Sequence, residues 1–414
     1  MTVRPRGPAT AVAALVAALI SAVVALLVGV PLLRLGQVLW RESGGNVGTL
    51  LGAGNLAGVF RSTLLLAAAV TLAAVPLGTA MALLLRRPEV PWRDFLRLAV
   101  LLPVVVPDFV LGYSWTQAYA RGGFTDSVLG LHWAGLLGPA GVWLVLVVNA
   151  APIVHLVVTA GLAARAEPDL ERAARASGAG PATTLLTVTL RLLLPSLAAA
   201  AVLVFVLTLA SFAIPQVLGA PAGFTTMATQ IYADLSLGGD PASFLSAVTL
   251  ALLLVLVTAA LVAPADALLG PRLRSSRPAS PQGTAAAAGR PAARRAQALG
   301  VTGYLVLTVG VPLAALVLAS VTRAIGVPPT PDNWTLGHFR QVLTTRTAEA
   351  LGRSLALAVA AGTLLVVLGG LVAVLERRRT GRTGLVARSP AASACRYSRH
   401  RAPALLDEPS LRCR

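Results

Sequence analysis

The chain has no lysine; all 34 of its basic residues are arginine. A phosphate-cradling loop ends in Gly-Lys-Ser/Thr and uses that lysine on the terminal phosphates, so the chain cannot hydrolyse ATP by such a loop. Cysteine is almost missing as well. Cys395 and Cys413 both lie in the last twenty residues. The first 379 residues therefore offer no disulfide, thiolate nucleophile or cysteine metal site. His132, His155, His338 and His400 are far apart and none stands in a metal-ligand spacing. No Ser/His/Asp set is arranged for catalysis. We expect neither catalytic residues, nor a metal, nor a cofactor. Charge is scarce too: 12% of residues are charged, against about 25% in soluble domains.

Apolar residues fill that space. They make up 56% of the chain, and the mean hydropathy is +0.78. A soluble core cannot bury that share, so the composition implies an integral membrane protein. The net charge of +18 is spread over many short loops. In a membrane protein such charge holds loops in the cytoplasm, and no nucleic-acid partner is expected. A hydrocarbon core of about 30 Å needs roughly 20 apolar residues per helix. Eight stretches qualify, near Ala9–Val30, Thr63–Leu85, Phe95–Ala118, Pro139–Leu162, Leu197–Leu218, Ser243–Leu269, Val301–Val321 and Ser354–Leu375. The expected fold is all-α, a polytopic transmembrane helix bundle. The first stretch follows Arg4 and Arg6 and could pass for a signal peptide. It is long for one, and we read it as a retained helix.

Arginine placement orients this map. With the N-terminus in the cytoplasm, the outside segments hold eight arginines: Arg34, Arg41, Arg61, Arg121, Arg323, Arg340, Arg346 and Arg353. The other 26 of the 34 fall inside. That bias predicts cytoplasmic N- and C-termini.

The chain also repeats itself. Arg61-Ser62, Gly78 and Arg86-Arg87 recur 292 residues later as Arg353-Ser354, Gly370 and Arg378-Arg379. Val28-Gly29-Val30-Pro31-Leu32 recurs as Val309-Gly310-Val311-Pro312-Leu313. Chance similarity between alanine/leucine-rich helices is the alternative. The repeat divides the chain into a first six-span half over 1–270, a cytoplasmic linker over 271–298 and an incomplete second half of two spans over 299–379. Residues 380–414 form a basic tail expected to be disordered. The abrupt change of composition after Arg379 reads as a frameshift or truncation; a natural basic tail is the alternative.

The most informative stretch is the loop at 165–197. Glu167, Asp169 and Glu171 stand at a helix start, where carboxylates meet the positive end of the dipole. Ala173, Ala174 and Ala176 give it a small-residue face. Gly178 and Gly180-Pro181 end that helix and start another, which leads to Pro195. The expected product is two short helices at an angle, parallel to the membrane, forming a knob suited to a partner's groove.

This loop resembles the coupling loop of ABC importer permeases, whose pattern is Glu-Ala-Ala, three residues, Gly, nine residues, Ile, one residue, Leu-Pro. Ala173, Ala174 and Gly178 match, with Val188 at the Ile position and Leu190 at the Leu. Arg172 stands where Glu is expected, with Glu171 one place earlier. Arg191 stands at the Pro, with Pro195 four later. Ser211-Phe212-Ala213-Ile214-Pro215-Gln216-Val217-Leu218-Gly219, Gly223-Phe224-Thr225-Thr226 and Ala228-Thr229-Gln230-Ile231-Tyr232 resemble the fifth-to-sixth-span connection of ferric-iron-type permeases. The resemblance covers residues 9–379. It implies a permease in the bacterial inner membrane, surrounded by lipid. It further implies an extracytoplasmic substrate-binding protein, a separate ATPase subunit acting as a dimer, and either a second permease chain or another subunit supplying the second coupling loop.

Asp108 lies within the third apolar stretch between Pro107 and Phe109. An ionised carboxylate there costs about 2.5–3.5 kcal/mol on insertion scales, so it should face the bundle interior, water or a cation. Pro103 and Pro107 remove helix hydrogen bonds nearby. Asn149 and His155 in the fourth span are candidate companions along a pathway. Two alternatives to the ATP-driven importer stay open at this point: an ion-coupled secondary transporter using Asp108, and a non-transporting remnant.

Overall fold

The computed structural model describes residues 26, 29–42, 55–86, 90–165, 168–274, 291–324, 326–327, 330–344 and 346–383. Most of the first expected span, and the tail beyond residue 383, lie outside them. The helices in chain order are α1 (Val30–Glu42), α2 (Leu56–Leu85), α3 (Arg93–Val100), α4 (Leu102–Val105), α5 (Asp108–Tyr119), α6 (Phe124–Leu129), α7 (Pro139–Arg165), α8 (Pro168–Ala176), α9 (Pro181–Thr184) and α10 (Leu190–Leu209). Then come α11 (Met227–Ser236), α12 (Pro241–Arg274), α13 (Pro291–Leu305), α14 (Val311–Val321), α15 (Gly337–Thr344) and α16 (Arg346–Thr383). No strand forms among the described residues; a single antiparallel bridge joins Thr322 to Trp334. The fold is all-α, as composition requires.

Among the described residues, six helical stretches are long and apolar enough to cross a membrane: Leu56–Leu85, Pro139–Ala164, Pro181–Leu209, Pro241–Gly270, Arg295–Val321 and Thr347–Val367. The third expected span is not one helix. Arg93–Val105 and Asp108–Leu129 form a pair bent by 102°. Val106 and Pro107 are extended between them, because Pro107 cannot donate to a continuing helix and disfavours α geometry in Val106. The fifth span starts at Pro181, well before the expected Leu197. It passes through a π-helical turn at Leu185–Thr189 without stopping. The second helix of the 165–197 loop is therefore the foot of a span rather than a separate rod. Helix α12 runs to Arg274 and α13 begins at Pro291, so helix enters both ends of the stretch read as a linker.

The chain divides into two compact units, Leu32–His338 and a second one formed by Met1–Pro31 with Phe339–Arg414. In the first, α2, α7 and α10 pack side by side around Val70, Ala74, Val154, Val158, Ala200 and Val204, all fully buried. Small residues let these backbones approach. A Cβ on Gly78 would stand 2.5 Å from the Ala151 carbonyl oxygen, and one on Gly161 would overlap the Ser196 Oγ. A second cluster joins α3 to α13 through Leu96, Val100, Ala298 and Val301. Ahead of α12, Asp240 accepts from the Ser243 hydroxyl at 2.6 Å and the Ser243 N–H at 3.2 Å, which holds its carboxyl below the usual range. Of the second unit, α16 is the described span. It carries an exposed Arg353–Glu349 pair at 3.4 Å.

Candidate functional site

The loop at 165–197 folds into an elbow with defined geometry. Helix α8 ends in a complete Schellman turn. Gly178 takes the left-handed conformation (φ +88°), its N–H donates to the Arg175 carbonyl at 3.0 Å, and the Ala179 N–H donates to the Ala174 carbonyl at 3.0 Å. Glycine adopts this backbone without the Cβ penalty. Pro181, at the first helical position, then opens the fifth span.

Glu171 attaches the elbow to the bundle. Its Oε1 accepts from Arg86 Nη1 at 3.3 Å and from Thr189 Oγ1 at 3.0 Å. Arg86 closes α2, and Thr189 is the buried last residue of the π-helical turn. One carboxylate thus links three pieces of chain. Arg172, at the pattern's usual acid position, turns outward and pairs with Asp169 at 3.0 Å. The outer surface offers Ala173, Ala176, Ser177 and Gly178, all exposed, with Leu170 and Leu186 exposed beside them. Ala174 is half-buried, and so are Val188, Leu190 and Pro195, which belong to the packed foot of the fifth span. Glu167 lies outside the described residues.

Asp108 is the first residue of α5, immediately after the 102° break. Its Oδ1 accepts from Asn149 Nδ2 at 2.9 Å, so α7 and the broken span meet through this pair. Both side chains are half-buried. His155 is buried, and its Nδ1 has no hydrogen-bond partner among the described residues. Six residues past Asn149, it lies about 240° round the helix, on another face. The structure joins Asp108 to Asn149 and leaves His155 apart. No group of three or more His, Cys, Asp or Glu side chains that could hold a metal occurs among the described residues.

Two polar arrangements escaped sequence reading. Trp115 Nε1 donates to the Thr308 carbonyl at 3.1 Å, and the Tyr119 hydroxyl donates to the Leu307 carbonyl. Both acceptors lie in the π-helical turn Val306–Gly310, whose wider winding shifts the usual backbone pairing. The second is Asp234, which accepts from Gln230 Nε2 at 2.8 Å and from the Ser246 hydroxyl at 2.5 Å, tying α11 to α12. The segment before α11 folds back onto α2. The Met227 N–H donates to Thr63 Oγ1 at 2.9 Å, and the Ser62 hydroxyl donates to the Thr225 carbonyl at 3.2 Å.

Residues 74–275, which contain both the elbow and Asp108, match the family described as binding-protein-dependent transport system inner membrane component. The ferric transport system permease protein of Actinobacillus pleuropneumoniae is 29% identical over 212 residues, covering 50% of this chain and 30% of that protein. The molybdenum transport system permease protein of Mycobacterium tuberculosis is 37% identical over 200 residues, covering 47% of this chain and 73% of that one. The chain spans about a third of the length of the ferric relatives it matches. Among solved structures, a bacterial alginate ABC transporter in complex with alginate pentasaccharide-bound periplasmic protein aligns with 64% of this chain and 96% of its own, at a TM-score of 0.52 and 20% identity. That likeness concerns fold alone. On the extent of the molybdenum match and the placement of the family region, the chain belongs to the binding-protein-dependent transport system inner membrane components.

Proposed function

We propose that this protein is the permease subunit of an ATP-driven importer. It receives substrate from an extracytoplasmic binding protein and passes it to the cytoplasm. A separate ATPase dimer grips the elbow through Ala173, Ala174 and Gly178, while Val188, Leu190 and Pro195 carry the push into the fifth span. The supporting observation is the three-way tie at Glu171. A force applied to α8 reaches α2 through Arg86 and the fifth span through Thr189. Rigid-body rocking of those spans is the motion such a linkage can drive. A second permease chain facing this one would give the ATPase dimer its second elbow. The termini and the elbow lie in the cytoplasm on the arginine bias.

Asp108, Asn149 and His155 are the candidate pathway residues. A carboxylate at a helix break favours a cation, which fits ferric iron and the ferric relatives. Replacing Gly178 by Pro forces φ from +88° to about −65° and breaks the elbow. The Gly178→Pro protein should insert into the membrane yet fail to retain the ATPase in a pull-down, by tenfold or more. Unchanged retention refutes the coupling role. The Asp108–Asn149 pair also fits an ion-coupled carrier. Proton- or sodium-driven uptake without any ATPase, abolished by Asp108→Asn, would favour that second reading.

A further inference from the structure

Helix α3 and the turn α4 behave unlike the other apolar helices. Arg93–Val105 runs at 102° to the segment that follows, so when one crosses the bilayer the other lies close to its plane. This arm carries two apolar stripes. Leu96, Val100 and Pro103 are buried in the protein. Phe95, Leu98, Leu102 and Val105, spaced three, four and three residues apart, face outward with exposures of 70%, 72%, 42% and 75%. Trp92 is the chain's one described non-glycine residue at positive φ and is itself exposed at the start of the arm. An exposed apolar stripe beside an indole is the composition of a membrane-interface helix.

Between the stripes stand Arg93 and Arg97, one helical turn apart. They share a single carboxylate, Asp94, at 3.2 Å and 3.8 Å. Among the described residues, two guanidiniums against one carboxylate leave a positive charge and several planar N–H donors without an acceptor. Phosphate diesters match that fork geometry. We infer that the arm binds the headgroup phosphate of an anionic phospholipid between Arg93 and Arg97, with the acyl chains along Phe95, Leu98, Leu102 and Val105. Charge selects the headgroup and the stripe selects a lipid over free phosphate.

The full chain in mixed-lipid nanodiscs tests this by native mass spectrometry of retained lipid. Dioleoyl phosphatidylglycerol should be retained on the order of tenfold over dioleoyl phosphatidylcholine, because basic side chains at the membrane surface favour anionic headgroups. The R93Q/R97Q double variant should lose that preference to within twofold. Arg121→Gln, outside the arm, should keep it. Inorganic phosphate at millimolar concentration should not displace the lipid. Equal retention of the two lipids by the unaltered chain overturns the proposal, as does a preference that survives in the double variant. Displacement by inorganic phosphate overturns the lipid as the source of the anion. Circular dichroism and monodispersity in the nanodisc separate loss of the site from loss of the fold.

Discussion

Glu171 shows how the placement of one side chain ties a surface loop to the helix bundle. Its partners come from α2 and from the foot of the fifth span, far apart in the chain. The family pattern puts the acid at 172, where this chain has arginine. Which neighbouring acid faces inward depends on the rotation of α8 against Arg86 and Thr189. Local sequence shows the acids and alanines but not that rotation. Glu171→Ala removes both bonds and should weaken the attachment of the elbow to the bundle by about 1.5–3 kcal/mol, the range for hydrogen bonds to a charged group. Glu171→Gln should cost less, because an amide oxygen can still accept from Thr189. Hydrogen exchange of α8 in the purified protein measures both. Exchange rates equal to the unaltered chain would show the tie carries no load.

At the scale of elements, packing of small residues decides how spans meet. The Gly78 Cα faces the α7 backbone so closely that a Cβ would come within 2.5 Å of Ala151 O and 2.6 Å of Val154 Cβ. Neither neighbour is a flexible tip. Gly78→Val should therefore destabilise the bundle by about 1–3 kcal/mol through overpacking, read as a lowered thermal midpoint in detergent. Trp115→Phe removes the indole donor to Thr308 O and should cost about 1 kcal/mol, with the unfolding midpoint as the measure. Helix content and the positions of the second, fourth, sixth, seventh and eighth expected spans were legible because apolar runs of this length have few other solutions. The break after Val105 was not. Two prolines signal lost hydrogen bonds, but a bend of 102° needs the support of α7 and α13 against the arm and of α14 against α5.

For the whole molecule, orientation is the first quantity to test. Ser177 sits on the exposed side of the elbow. With Cys395 and Cys413 replaced by serine, a Ser177→Cys variant should react with an impermeant maleimide only after cells are opened. Labelling of intact cells would reverse the arginine-based topology. Residence in a bilayer, helical structure and the position of the elbow all follow from composition and local pattern. Each is set by a sum over neighbouring residues: hydrocarbon length, or a glycine next to an alanine-rich turn. The tertiary structure alone decided that Asp108 meets Asn149, that Glu171 and not its neighbour ties the elbow, and that the arm at Arg93 turns aside from the third span. Those outcomes depend on contacts between residues tens to hundreds of positions apart, and no local window of sequence contains both partners.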